Sequence, residues 1–158
     1  KFEKNLKEEF EKNKLNSERI IFSESMPVKD HLVRIKFADL FLDTFPYNAH
    51  TTCNDSLWAG VPVLTKIGKS FHSRVASSLL KTSGLEELIT HSDEEYVSKA
   101  VKIANDEKYL KQLKNKLNTF KDVNPLFDSK LYTRNLEQAY EIVFQNHFHK
   151  KNPDDIYL

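Results

Sequence analysis

The sequence predicts an α/β fold, a parallel sheet wrapped by helices and followed by a group of C-terminal helices. Three observations predict it. Short apolar runs of strand length alternate with helical spacings from Arg19 to Leu80. One of them, Leu40-Phe41-Leu42, is too continuous for a strand with one wet face, so it belongs in a sheet covered on both sides. Beyond Ile89 only helical spacings remain. With 158 residues, 39% hydrophobic and 30% charged, the chain is sized for one core, and residues 1–158 read as a single domain. Its sheet part covers about 15–90 and its helical part about 91–150.

The elements follow in order. Lys1 to Lys14 carries Phe2, Leu6 and Phe10 four apart, a helix with one apolar stripe. Asn16 and Ser17 break it, and Arg19-Ile20-Ile21-Phe22-Ser23 reads as the first strand. Asp30 to Ala38 has helical spacing, Leu40 to Thr44 is the second strand, and Thr52 to Ala59 is a short helix ended by Gly60. Val61 to Thr65 is a third strand, and Phe71 to Leu80 a helix closed by Ser83-Gly84. Then come helices over Glu94 to Ala104, Lys108 to Phe120 and Leu131 to Phe148. The last bears Leu136, Tyr140, Val143 and Phe144, a stripe that asks to be docked.

Composition narrows the function. With 24 Lys and Arg against 23 Asp and Glu the net charge is +1, which gives no reason to expect nucleic acid or an anionic membrane as partner. The lysine-rich stretch Lys102 to Lys121 is broken by Asp106, Glu107, Leu110 and Leu113, the pattern of solvated helix faces. A lone cysteine, Cys53, forms no internal disulfide and points to a reducing, cytoplasmic setting. No apolar run approaches the roughly 18 residues of a membrane span, and the polar N-terminus has no signal-peptide core. The chain starts at Lys1 and holds three glycines, which suggests a piece of a longer protein. Its six histidines lack the Cys or carboxylate spacing of a metal site, and there is no Walker loop, nucleophile elbow or G-x-G-x-x-G.

Chemistry is sought where parallel strands end and helices begin. One such junction runs Asp43-Thr44-Phe45-Pro46-Tyr47-Asn48-Ala49-His50-Thr51-Thr52-Cys53-Asn54-Asp55. A threonine here suits a helix cap, and the amides of a first turn form an anion site. Thr51, Thr52 and neighbouring His50 would cradle a phosphate or diphosphate, and Asp55, one turn on, would accept from ribose hydroxyls. The ordinary alternative is a simple cap beside an exposed loop histidine. Cys53 sits where a helix start can lower a thiol's pKa, yet no base lies beside it, and a buried, inert thiol is the expectation. The second junction, Ser23 to His31, leads off the expected first strand on the same sheet edge. His31 could lie against a base, Arg34 shares its helix face, backbone groups at Met26 could pair with base edges, and Lys29 could reach phosphate or ribose. The alternative is a surface loop.

The blocks RIIFSESMPVKDHL, ADLFLDT, NAHTTCNDSLWAGVPVLT, SRVASSLL and PLFDSKLYT resemble, in order and spacing, those of the O-linked N-acetylglucosamine transferase family, from about Arg19 to Phe144. The resemblance, to a bacterial relative, implies the C-terminal, UDP-holding Rossmann-like half of a GT-B glycosyltransferase. It implies that His31 stacks on uracil with Arg34 near the base, that Thr51 and Thr52 bind the diphosphate beside His50, and that Asp55 holds the ribose. The family's lysine after the proline is Val28 here, with Lys29 one place on, and its glycines flanking the HTT motif are Ala49 and Cys53. It further implies an inverting transfer from a UDP-sugar, N-acetylglucosamine first among donors that include glucose and fucose, to protein Ser or Thr. No metal or other cofactor is expected. The catalytic domain, any general base and the tetratricopeptide-type repeats would precede this segment, which alone would be inactive. Two other readings stand beside it: a non-catalytic protein-interaction module on the same half-fold, and a UDP-sugar epimerase-like enzyme.

Overall fold

A computed structural model describes residues 1–120 and 122–157; Lys121, at the end of the lysine-rich stretch, lies outside the described residues. The chain divides into two compact units, Lys1–His31 and Leu32–Leu158.

In the first unit, α1 spans Phe2–Lys12, with Glu3 in its first turn and Lys12 in its last, the arrangement its dipole favours. Leu6 and Phe10 are half-buried, and the Phe2 ring meets Phe22 edge-on at 6.5 Å. Lys14 takes the left-handed conformation, φ 59°, and reverses the chain. A 3-10 turn, Ser17–Arg19, follows, with the Asn16 side chain accepting from the Glu18 amide. The strand expected over Arg19–Ser23 is absent. Ile20 to Pro27 has no ladder, and Ile21 is 86% exposed. Branched apolar residues fit a strand, but only a neighbouring ladder makes one. Here Phe22 packs instead on α1, with the Lys7 ammonium 5.9 Å from its ring centre.

Helix α2, Val28–Ile35, starts two residues earlier and stops three earlier than its spacing suggested. Pro27, just before the helix, supplies the carbonyl that accepts from the His31 amide at 2.9 Å.

The second unit holds the sheet. Strands β1 (Phe41–Leu42), β2 (Val63–Lys66) and β3 (Ile89–Thr90) are parallel in the order β1-β2-β3. Phe41 pairs with Val63 and Leu42 with Leu64, and on the other side Thr65 pairs with Ile89 and Lys66 with Thr90. Strand β3 escaped the sequence reading because it offers only two residues after Glu86-Glu87-Leu88, too short a run for any periodicity. Helix α3 (Thr51–Trp58) joins β1 to β2, and α4 (Val75–Thr82) joins β2 to β3. The segment before α4 that read as helix is a separate 3-10 turn, Phe71–Ser73. Gly60 ends α3 with φ +83°, and Gly84 ends α4 with φ +64°, both left-handed positions that a side chain would strain.

Helices α5 (Asp93–Asn105), α6 (Glu107–Phe120) and α7 (Ser129–Phe148) complete the unit. Ser92 caps α5 by accepting from the Glu95 amide, and Asp128 caps α7 by accepting from the amides of Lys130 and Leu131. The core joins Leu57 of α3, Val63 of β2, Ala76 and Leu80 of α4, Ile103 of α5, and Leu113 and Leu117 of α6. The α7 stripe differs from expectation: Tyr140, Val143 and Phe144 are exposed, while Leu136 is half-buried.

Candidate functional site

The residue that organises the β1–α3 junction is Asp43, directly after β1 and 6% exposed. Its Oδ1 accepts from the amides of Thr44 at 2.8 Å and Ala49 at 2.7 Å, so one carboxylate oxygen holds both ends of the connecting loop. Its Oδ2 accepts from the Thr65 hydroxyl of β2 at 2.6 Å. Burial raises the Asp43 carboxyl above its ordinary value, and the bonds from Thr65, Ala49 and Thr44 and the charge of His50 oppose that rise. Inside the loop, Thr44 Oγ1 donates to the Tyr47 carbonyl at 2.6 Å, and Asn48 Nδ2 donates to the Thr44 carbonyl at 2.8 Å.

This folding delivers α3 with His50, not a threonine, as the capping residue, at φ −106° and ψ −89°. The sequence had put a threonine there. Thr51 and Thr52 are instead the first two helical residues, directly after the loop end that Asp43 holds at the Ala49 amide. No side chain caps this turn, although first-turn amides have no helical acceptor. Thr51 and Thr52 are exposed. An exposed first turn without a side-chain acceptor is chemically suited to an anion. Asp55 is half-buried and lies four residues after Thr51 and three after Thr52, on the same side of the helix. The buried Cys53 and Leu57 turn the opposite side into the core.

The His50 ring stacks on Tyr47, centroids 5.0 Å apart and planes 20° from parallel. Its Nε2 lies 3.4 Å from the His72 carbonyl oxygen. A carbonyl only accepts, so in this contact Nε2 is the donor. Cys53 is fully buried; burial first, then the Asp43 charge, pushes its thiol up to about 12, which makes it the inert thiol expected.

His50, Thr51, Thr52 and Asp55 are thus brought onto the first turns of one helix. Arg34, half-buried on α2, belongs to the same compact unit. Met26, Lys29 and His31 belong to the Lys1–His31 unit: Met26 and Lys29 are exposed and His31 is half-buried. The sequence reading passed over Asp43, Tyr47 and His72. An aspartate closing an otherwise apolar strand was a signal for the first; the other two meet only after folding, 25 positions apart in the chain.

A cavity of about 500 Å³ lies along α4, lined by Ile67, Val75, Leu79 and the cations Arg74 and Lys81. Among the described residues, no three His, Cys, Asp or Glu side chains form a group able to hold a metal, and no helix is long and apolar enough to cross a membrane.

The short parallel sheet and its covering helices define the class: one Rossmann-like half of the GT-B fold. The superposition that fixes it is with a mutant of the Thermobaculum terrenum O-GlcNAc transferase, TM-score 0.81 at 34% identity, over 87% of this chain and 26% of that one. The model of glycosyl transferase family 41 matches residues 1–136, and the chain belongs to that family. Relatives include a probable UDP-N-acetylglucosamine–peptide N-acetylglucosaminyltransferase SPINDLY of Solanum lycopersicum, 38% identical over 75% of this chain and 13% of its own length. The probable enzyme SEC of Arabidopsis thaliana is 37% identical over 86% of this chain and 14% of its own. The UDP-N-acetylglucosamine–peptide N-acetylglucosaminyltransferase of Caenorhabditis elegans is 38% identical over 78% and 11%. The chain therefore spans about an eighth of the curated relatives it matches.

Proposed function

We propose that the chain is the nucleotide-binding part of a protein O-glycosyltransferase, which moves N-acetylglucosamine from its UDP conjugate to serine or threonine hydroxyls of a protein acceptor. The names of the relatives support the donor and the acceptor class. The observation that carries the reading is the uncapped, exposed first turn of α3, with two threonine hydroxyls and His50 around its amides.

The chemistry follows from where charge develops. In an inverting transfer the acceptor oxygen attacks the anomeric carbon, the bond to the diphosphate oxygen breaks, and UDP leaves with that electron pair. Preorganised donors aimed at the departing oxygen lower the barrier. The amides and hydroxyls of Thr51 and Thr52, with the positive end of the α3 dipole behind them, meet that charge. Asp55 accepts from the ribose hydroxyls. The reading names no cofactor beyond the UDP-sugar, and no catalytic residue in this chain; the part of the protein outside it supplies any general base. The base-side roles of Met26, Lys29, His31 and Arg34 rest on the family resemblance alone. The free thiol of Cys53 supports a reducing, cytoplasmic setting. The exposed stripe of α7 supports the rival reading as an interaction module.

The test is UDP affinity. In the full-length protein, replacing Thr51 and Thr52 together with alanine should weaken UDP binding about tenfold or more by calorimetry, from two lost hydrogen bonds to a charged ligand. Unchanged affinity overturns the reading and leaves the interaction module in place.

A further inference from the structure

Three rings stack in pairs beside the first turn of α3. Tyr47 stacks on His50, as described, and also on His72, with centroids 5.2 Å apart and planes 10° from parallel. Phe71 adds an edge-on contact to His50 at 6.0 Å and 84°. Tyr47 is 62% exposed, so the core does not hold it; the two imidazoles do.

His72 is itself anchored. The His72 carbonyl accepts from the Asn48 amide at 3.1 Å, which ties the 3-10 turn after β2 to the loop after β1. His72 Nε2 is 3.1 Å from Ser70 Oγ, and Ser70 is locked to Ser73 by a contact of 2.9 Å between their hydroxyls. Two loops at the carboxyl ends of neighbouring strands are thereby stapled through aromatic faces and one backbone bond. His50 is gripped at three points: its ring face by Tyr47, its edge by Phe71, and Nε2 by the His72 carbonyl.

We propose that Tyr47 and His72 are positioning residues, which hold the His50 imidazole fixed at the diphosphate-binding turn so that it meets the ligand already oriented. This deepens the reading above and rests on it. A histidine capping a helix in an open loop would otherwise sample several rotamers, and the ligand would have to bear the entropy of fixing one. The stack removes that freedom in advance. Tyr47 acts through His50 and needs no contact of its own with UDP.

The test is a mutant cycle in the full-length protein, with UDP affinity measured by calorimetry and retention of fold by thermal melting. Tyr47→Ala should weaken UDP about three- to tenfold, the scale of one aromatic pair, whereas Tyr47→Phe, which keeps the stack, should stay within about twofold. In a His50→Ala background the Tyr47→Ala change should add less than about twofold, because there is no longer a ring to hold. If Tyr47→Ala does not fold, His72→Ala removes that ring while keeping its carbonyl, and the same non-additivity with His50→Ala is expected. The proposal is overturned if the losses multiply in full, or if His50→Ala leaves UDP affinity unchanged while Thr51→Ala and Thr52→Ala weaken it. Were the threonine variants also silent, the failure would lie in the nucleotide site itself.

Discussion

Asp43 shows how one side chain can shape a site without belonging to its ligand contacts. Its carboxylate takes bonds from both ends of the 44–49 loop and from Thr65, and removing it would strand two amides and a hydroxyl in or near the core. Asp43→Ala should lower the unfolding free energy by about 2–3 kcal/mol in urea titrations and weaken UDP binding, since the loop sets where α3 begins. The pH dependence has a definite sign. Because burial raises the folded pKa above its ordinary 3.8, the folded chain keeps this proton where the unfolded chain has released it. The stability tied to that proton is full below 3.8 and is lost as pH rises through the raised folded value. In Asp43→Asn that part of the pH profile should be flat; an unchanged slope would mean that another group is responsible. Asp55 offers a cleaner ligand test. Asp55→Ala should weaken UDP about tenfold and leave inorganic pyrophosphate unaffected in competition calorimetry, because only UDP carries the ribose. Equal losses for both would remove Asp55 from the ribose role.

Among the elements, the helices were legible and the strands less so. A helix of 11 or 14 residues, such as α1 or α6, repeats its apolar spacing several times, so its limits were found to within a few residues. A strand of two residues repeats nothing. Strand β1 was found because its neighbours are apolar, β3 was missed, and Arg19–Ser23 looked like a strand although it pairs with none. The stop of α3 was legible because only glycine fits it. At Gly60, φ is +83° and an added Cβ would lie 2.9 Å from Asn118 Oδ1; at Gly84, φ is +64° with open space around it. Gly60→Ala should cost about 1–2 kcal/mol of stability and Gly84→Ala about 1, measured as shifts in urea midpoint at constant slope. Equal costs would show that Asn118 swings aside freely.

For the molecule as a whole, family membership was written in five sequence blocks, while much of the site's support was not. His50, Thr51, Thr52 and Asp55 fall within six consecutive residues, so a local motif reveals them. The Asp43–Thr65 bond and the Tyr47–His72 stack join residues 22 and 25 positions apart, and only the parallel register of β1 on β2 brings them together. The chain also spans a small share of its relatives, 13% of the tomato protein and 26% of the bacterial structure, so donor, acceptor and the open face of α7 are questions for the full-length protein. The most direct test is a crystal structure of that protein with UDP bound. The account predicts diphosphate oxygens within about 3 Å of the amides and hydroxyls of Thr51 and Thr52, the ordinary hydrogen-bond range. A diphosphate seated elsewhere, with that first turn touching only solvent, would contradict it.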